Sequence, residues 1–220
     1  MQILPMQQDY KSYDRRATPG QTAAIDHVSV DNFEAGRLAA AHLIEQGHRR
    51  IVFATATGQT MSRAEKIRGF FDAARAAGLG EGAHGASVLG GSASSEYGDS
   101  EMADVGRLLA ARIAADANRP TGVVAVNDML AFGLMAGLRE AGLAVPGDVS
   151  VVGMDGLFLS SLMHPGLTTV RLPVPDMART IVERVFARMA DPSLAPGEFL
   201  FAPSLVQRQS VAAPYEKAKL

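Results

Sequence analysis

Residues 122–156, GVVAVNDMLAFGLMAGLREAGLAVPGDVSVVGMDG, constrain the fold more than any other part of the chain. The segment reads as an apolar run, an amphipathic helix and a second apolar run. Each run is too short for a helix and lacks the alternation of a half-exposed strand, so both fit strands covered on two faces. A strand, a helix and a strand in that order form a parallel pair joined by a right-handed crossover. Polar groups close both strands: Asn127 and Asp128 after the first, Asp155 after the second. In open parallel sheets, ligands bind outside the carboxyl ends of the strands. An amide and two carboxylates would meet there, which is chemistry for holding a small polar molecule rather than for breaking its bonds.

The same alternation extends to both sides. A short strand is expected over 25–30, then a helix opened by Asp31 with Glu34 three residues on, the pattern of a capping box. Ala35, Leu38, Ala39 and Leu43 mark its apolar face, and Gly47 stops it. Residues 51–55, IVFAT, read as a buried strand. Ser62 and Glu65 repeat the capping-box spacing, ahead of a helix with Ile67, Phe70, Phe71 and Ala74 inward. A strand at 87–89 and a helix over 96–115 follow, with Met102, Val105, Leu108, Leu109 and Ile113 inward. After Asp155, residues 157–163 form an apolar, irregular stretch leading to a strand near 168–172. Pro175 suits the first turn of a helix whose apolar side carries Met177, Ile181, Val182, Val185, Phe186 and Met189. Late strands are expected at 199–201 and 205–211. The fold class is therefore α/β, a parallel sheet with helices on both faces.

Composition removes whole classes of function. The chain has 220 residues, 47% of them hydrophobic, which is enough for a substantial core. Lys plus Arg number 21 against 23 Asp plus Glu, a net charge of −2, which gives no electrostatic footprint for nucleic acid. Cysteine is absent, so disulfides, thiolate nucleophiles and Cys-ligated zinc are excluded. No phosphate-binding loop and no G-x-S-x-G elbow occurs. The five histidines (His27, His42, His48, His84 and His164) have no metal-ligand spacing and read as structural or solvated. No catalytic residue, metal or cofactor is expected. No apolar run approaches the ~18 residues of a membrane span, and the first residues lack a secretory signal, so a cytoplasmic location is expected.

Each polar candidate also has an ordinary role. Asn127 is a good helix cap, Asp128 suits the positive end of a helix, and Asp155 lies in a Gly-Met-Asp-Gly turn. Lys66, one turn into its helix, either is solvated or points a donor into the crevice. Capping and ligand binding both stay open, and they are compatible.

The chain resembles the effector-binding core of the lactose-repressor family of bacterial transcription regulators. The resemblance runs from about residue 25 to residue 214. It is carried by VSVDNFEAGRLAAAHLIEQGHRRI, SRAEKIRGF, GVVAVNDMLAFG, DVSVVGMDG, HPGLTTV and LVQRQS, in that order. It implies a two-lobed, type I periplasmic-binding-protein-like fold with a sugar, nucleobase or similar effector between the lobes. By position, Asn127 and Asp155 match effector-binding residues of the family. Lys66 stands where the family usually has an arginine, and because the Arg63-Ala64 order is the reverse of the family's usual one, Arg63 is a candidate to share that role. An ammonium lacks the planar fork of a guanidinium. The family's ligand-stacking aromatic falls near Ala93, so a stacking ring is not expected here.

The resemblance further implies a homodimer through Phe132, Phe158, Leu159, Leu162 and Met163, with an ordinary core role as the other reading, above all for Phe132. It implies one complete lobe and a remnant of the other. Residues 1–30 would belong to the first lobe, 31–170 to the α/β effector lobe, 171–203 to the return segment and 204–214 to the last strand, with 215–220 as tail. DNA would be reached only through a helix-turn-helix unit outside this chain. The apolar helix of the return segment would then dock on the remaining lobe or on a second copy. A periplasmic solute-binding protein, or a remnant that no longer binds ligand, are the alternative readings.

Overall fold

The computed structural model describes residues 25–58, 60–91 and 99–214; side chains are described from residue 101 in the last span. The strands are β1 (His27–Val30), β2 (Ile51–Ala56), β3 (Ala86–Gly91), β4 (Gly122–Ala125), β5 (Ser150–Asp155), β6 (Thr168–Arg171), β7 (Glu198–Phe201) and β8 (Ser204–Val206). The helices are α1 (Asn32–Glu45), α2 (Met61–Ala76), α3 (Asp99–Ala115), α4 (Asp128–Glu140) and α5 (Val174–Ala190), with a 3-10 turn at Phe158–Ser161.

Six strands form one sheet in the order β3-β2-β4-β5-β6-β8, parallel except for β8. The chain steps outward from β2 to β3, then reverses to β4 and continues to β5. Right-handed crossovers therefore place α2 on one face and α3 and α4 on the other. α1 packs on α2, and α3 on α4. The central strands are mostly apolar because both faces are covered: every residue of β2 and β4 is buried. Phe53, Phe70, Leu109, Leu130, Leu134 and Met154 fill the core between sheet and helices. Glycines allow the helix pairs to approach. A Cβ on Gly133 would collide with the Ala103 carbonyl, and one on Gly69 with the Phe33 carbonyl.

Several local expectations are corrected. The N-cap of α2 is Thr60, whose hydroxyl accepts from the Arg63 amide at 3.2 Å, rather than Ser62. Asp31 does cap α1, accepting from the Glu34 amide at 2.9 Å. The reciprocal bond of a capping box is replaced: the Asp31 N–H donates to the Phe201 carbonyl at 2.8 Å, and the Glu34 carboxylate is held by Arg37 at 2.6 Å. Leu108 lies on the outer side of α3 and is 46% exposed. Pairing in β8 stops at Val206; beyond it, residues 207–212 are anchored by backbone bonds of Gln209 and Ser210 to Gly166 and Val151 and by side-chain bonds. The start expected for α3 at residue 96 and the position near Ala93 lie outside the described residues.

One of those anchors is a buried histidine. The His48 Nε2 atom lies 2.9 Å from the Ala212 carbonyl, to which it must donate, so Nδ1 accepts from the Thr121 hydroxyl at 2.9 Å. Burial pushes the imidazole pKa down. The unfolded ring, with a pKa of about 6.5, then binds a proton more readily than the folded one. The stability due to the neutral ring is present above that pH and is lost as the pH falls toward the lowered folded value. Urea unfolding midpoints should therefore drop between pH 7.5 and pH 5, and His48→Asn should flatten the drop. An unchanged slope would remove His48 from the account.

β1 and β7 form a separate parallel pair, with His27 opposite Glu198 and Val30 opposite Phe201. α5 lies chiefly against β1. Asp26 fastens it, accepting from Arg184 at 2.8 Å and standing 3.6 Å from Arg188. Arg184 also sits over the Phe199 ring, 5.2 Å from its centroid. No residue of α5 is buried. The expected docking of this helix on the six-stranded lobe is thus not what the structure shows.

Candidate functional site

Strand order reverses between β2 and β4, so the loops leaving their carboxyl ends diverge and open a crevice. Adjacency in the sheet brings the polar groups to one end of it. β4 pairs with β5 up to Val124–Val152, so Asn127, just beyond β4, and Asp155, the last residue of β5, both lie at the carboxyl ends of neighbouring strands. β2 pairs with β4 up to Ala54–Ala125 on the other side. Neighbouring backbones in a sheet lie ~4.8 Å apart, within reach of one small ligand.

Asn127 caps α4: its Oδ1 accepts from the Leu130 amide at 2.9 Å. Its Nδ2 donates to nothing among the described residues, and the residue is half-buried. Capping fixes the side chain and leaves two N–H donors. Lys66 reaches from α2 across the crevice, and its Nζ donates to the Val126 carbonyl at 3.1 Å. It is 9% exposed. Burial pushes its pKa down, opposed by the carboxylates of Asp155 and Asp128. The ammonium thus lies beside Asn127 and within the electrostatic reach of Asp155. Asp155 has φ of +136°, the one non-glycine residue with positive φ among the described residues. Such backbone costs about 1–3 kcal/mol and persists where the surroundings over-determine it, often at ligand sites.

The structure separates Asp128 from this group. Its side chain is fully buried. Oδ2 accepts from the Leu157 amide at 2.8 Å and the Ser160 hydroxyl at 2.7 Å, and Oδ1 accepts from the Thr169 hydroxyl at 2.6 Å. The expectation that Asp128 touches an effector is corrected: no carboxylate oxygen faces the crevice. Arg63 is buried as well, and its Nη1 donates to the carbonyls of Ala56, at 3.1 Å, and Gly58. It shapes the loop after β2, and its Nε is buried without a partner among the described residues. The roles of Ser160 and Thr169 escaped the sequence reading. The available signal was the polar pair Thr168-Thr169 at the start of a strand whose first three residues are buried.

Beyond Asp155 the chain presents an apolar ledge. Phe158, Leu159 and Leu162 are 76%, 51% and 64% exposed. Met163 is half-buried, and Phe132 packs its ring against the core of the lobe. A hollow lined by Arg50, Gly85, Leu89 and Arg112 lies toward the amino ends of the strands, away from the switch point, and contains none of the candidate site residues. Among the described residues no cluster of His, Asp or Glu could hold a metal ion. Among the described residues no helix is long and apolar enough to cross a membrane.

Comparison with known proteins agrees with this architecture. A family model described as a periplasmic binding protein-like domain matches residues 40–211. The transcriptional regulator GalR of Escherichia coli is 31% identical over 188 residues, covering 85% of this chain and 52% of GalR. The regulator MalR of Streptomyces coelicolor is 34% identical, covering 87% of this chain and 54% of MalR. The chain thus spans about half the length of these relatives. Among solved structures, a LacI family regulator from Enterococcus faecium with bound ribose superposes with a TM-score of 0.76 at 28% identity, covering 86% of this chain and 66% of that one. A CelR–cellobiose complex superposes with a TM-score of 0.72 at 27% identity, covering 84% and 54%. The chain belongs to the periplasmic binding protein-like domain family, and over that domain it is similar to part of transcriptional regulators such as GalR and MalR.

Proposed function

We propose that this chain senses a small polar metabolite, a sugar or a compound of similar hydroxyl density, within a transcription regulator working in the cytoplasm. Asn127, Asp155 and Lys66 grip the ligand, and Arg63 holds the loop that borders it. The observation that carries the reading is Asp155, an ionisable residue kept in strained backbone at the carboxyl end of β5, the strand next to the one whose carboxyl end leads into the capped amide of Asn127. A carboxylate accepting paired hydroxyls, an amide donating and an ammonium donating give the mixed polarity a sugar requires. No nucleophile with an adjacent base stands among these groups, so the ligand is held and not transformed. In the intact regulator, ligand binding would bias the arrangement of the protein and so its engagement of DNA through a separate helix-turn-helix unit. Solved relatives bound to ribose and to cellobiose support a saccharide ligand. The ledge at Phe158–Met163 supports a homodimer.

Titration calorimetry against a panel of pentoses, hexoses, disaccharides and nucleobases tests the reading. A ligand that binds the unmodified chain should bind Asp155→Gly at least tenfold more weakly, since hydrogen bonds to charged groups contribute about 1.5–3 kcal/mol. The same variant should unfold at higher temperature, because glycine adopts positive φ freely. Asn127→Ala should lose affinity and also about 1 kcal/mol of stability with its cap. Heat of binding undiminished in both variants would refute the site, and no heat from any compound would refute sensing by this chain.

A further inference from the structure

We propose that Asp128 is a positioning residue that locks the turn carrying Asp155 and the apolar ledge Phe158–Met163 into one unit. The ledge is then presented in a geometry set from the crevice. Asp128 follows Asn127 directly, so its backbone is fixed by the same capped turn of α4. Its carboxylate points inward and joins three segments: the Leu157 amide at the root of the ledge, the Ser160 hydroxyl within it and the Thr169 hydroxyl on β6. Thr169 in turn accepts from the Gly156 amide at 3.3 Å, the residue next to Asp155. A chain of bonds therefore runs from Asp128, the residue after the Asn127 cap, to Gly156 and Leu157 directly after Asp155 and on into the ledge. Between these bonds the ledge has a single turn of 3-10 helix, held by Leu162 N–H to Leu159 O at 2.9 Å and Met163 N–H to Leu159 O at 3.2 Å, and its large side chains are exposed. Ser160 is its only fully buried side chain, and that side chain's bond goes to Asp128. Bonds from Ser160 N–H to Leu157 O at 3.0 Å, from Leu167 N–H to Ser160 O at 2.8 Å and from the Ser161 hydroxyl to Phe158 O at 2.7 Å also brace the turn, and the Asp128 carboxylate is what ties it to α4. A fully satisfied buried network of this kind specifies one conformation.

In its functional consequence, a ledge whose shape follows the crevice, the inference rests on the ligand site proposed above. Its test needs no ligand. Amide hydrogen exchange reads local opening residue by residue. In the full chain, Asp128→Asn should raise exchange at the amides of 156–163 by tenfold or more and leave β2 and α1 protected as before. The conservative pair Thr169→Ser and Thr169→Val gives a second reading should Asp128→Asn fail to fold. Serine keeps the hydroxyl and should preserve protection at 156–163; valine removes it and should not. Sedimentation of the same variants should show weaker self-association for Asp128→Asn and Thr169→Val than for Thr169→Ser. Equal exchange at 156–163 in the serine and valine variants would overturn the proposal. So would protection lost evenly across the chain, which would make the carboxylate a general stability element. Failure of every sugar titration alongside the expected exchange pattern would refute the ligand site and leave the positioning role standing.

Discussion

Replacing Gly153 with alanine is expected to destabilise the protein by about 3–5 kcal/mol, although the change adds one methyl group. Gly153 lies inside β5, buried on both faces, with no positive φ, so the cost is steric. A Cβ there would fall well inside contact distance of Asp128 Oδ1 and 2.8 Å from Leu167 Cδ2. The end of a side chain usually moves aside at little cost. This carboxylate has no such freedom, because Leu157, Ser160 and Thr169 all hold it. Displacing it combines the overpacking of a dense core, about 1–3 kcal/mol, with loss of at least one charge-assisted hydrogen bond, about 1.5–3 kcal/mol. In a chain of this size that lowers the melting temperature by roughly 10 °C. Gly80→Ala is the matched control, since a Cβ there meets nothing within 4 Å. Thermal and urea unfolding of both variants, followed by circular dichroism, decides the matter. A Gly153→Ala shift no larger than the control would show that the carboxylate has room to move.

The same residues show what the sequence could reveal. Apolar runs and helical stripes placed every strand of the six-stranded sheet and the alternation that builds it, because those signals lie within each element. The cap at Asn127 was visible for the same reason: donor and acceptor are three residues apart. Asp128 was not legible. Its partners Ser160 and Thr169 lie 32 and 41 residues away, and only the folded sheet sets them against it. From sequence alone, an aspartate after a strand reads as open to a ligand; burial decides otherwise. Ser62 and Glu65 have the capping-box spacing and Thr60 has Arg63 three residues on, so the sequence favours Ser62; α2 nevertheless starts at Met61, and Thr60 caps it. The positive φ of Asp155 is likewise a property of the surrounding turn, held by Gly156, Thr169 and the bond from the Leu172 amide to the Asp155 carbonyl at 3.3 Å.

Charging the ledge should have the second large effect. Leu159→Asp with Leu162→Asp is expected to weaken self-association at least 100-fold and to yield monomers at micromolar concentration in light scattering. Each leucine withdrawn from water contributes about 1.5–3 kcal/mol, and a carboxylate in its place would have to be desolvated or would keep the surfaces apart. Folding should be nearly unaffected, since both side chains already face solvent. Phe132→Ala separates the two roles assigned to the apolar residues. Its ring packs on the core, so its loss should lower the unfolding midpoint more than it alters association. The apolar side of α5 offers a competing surface, with Val185 52% and Phe186 66% exposed. Val185→Asp with Phe186→Asp therefore belongs in the same experiment. Monomers from the ledge pair alone place the contact at the carboxyl end of β5, next to the crevice, where the Asp128 network can link ligand to assembly. Monomers from the α5 pair alone would move the contact to the β1–β7 unit, and the ledge would then have no part in holding two copies together.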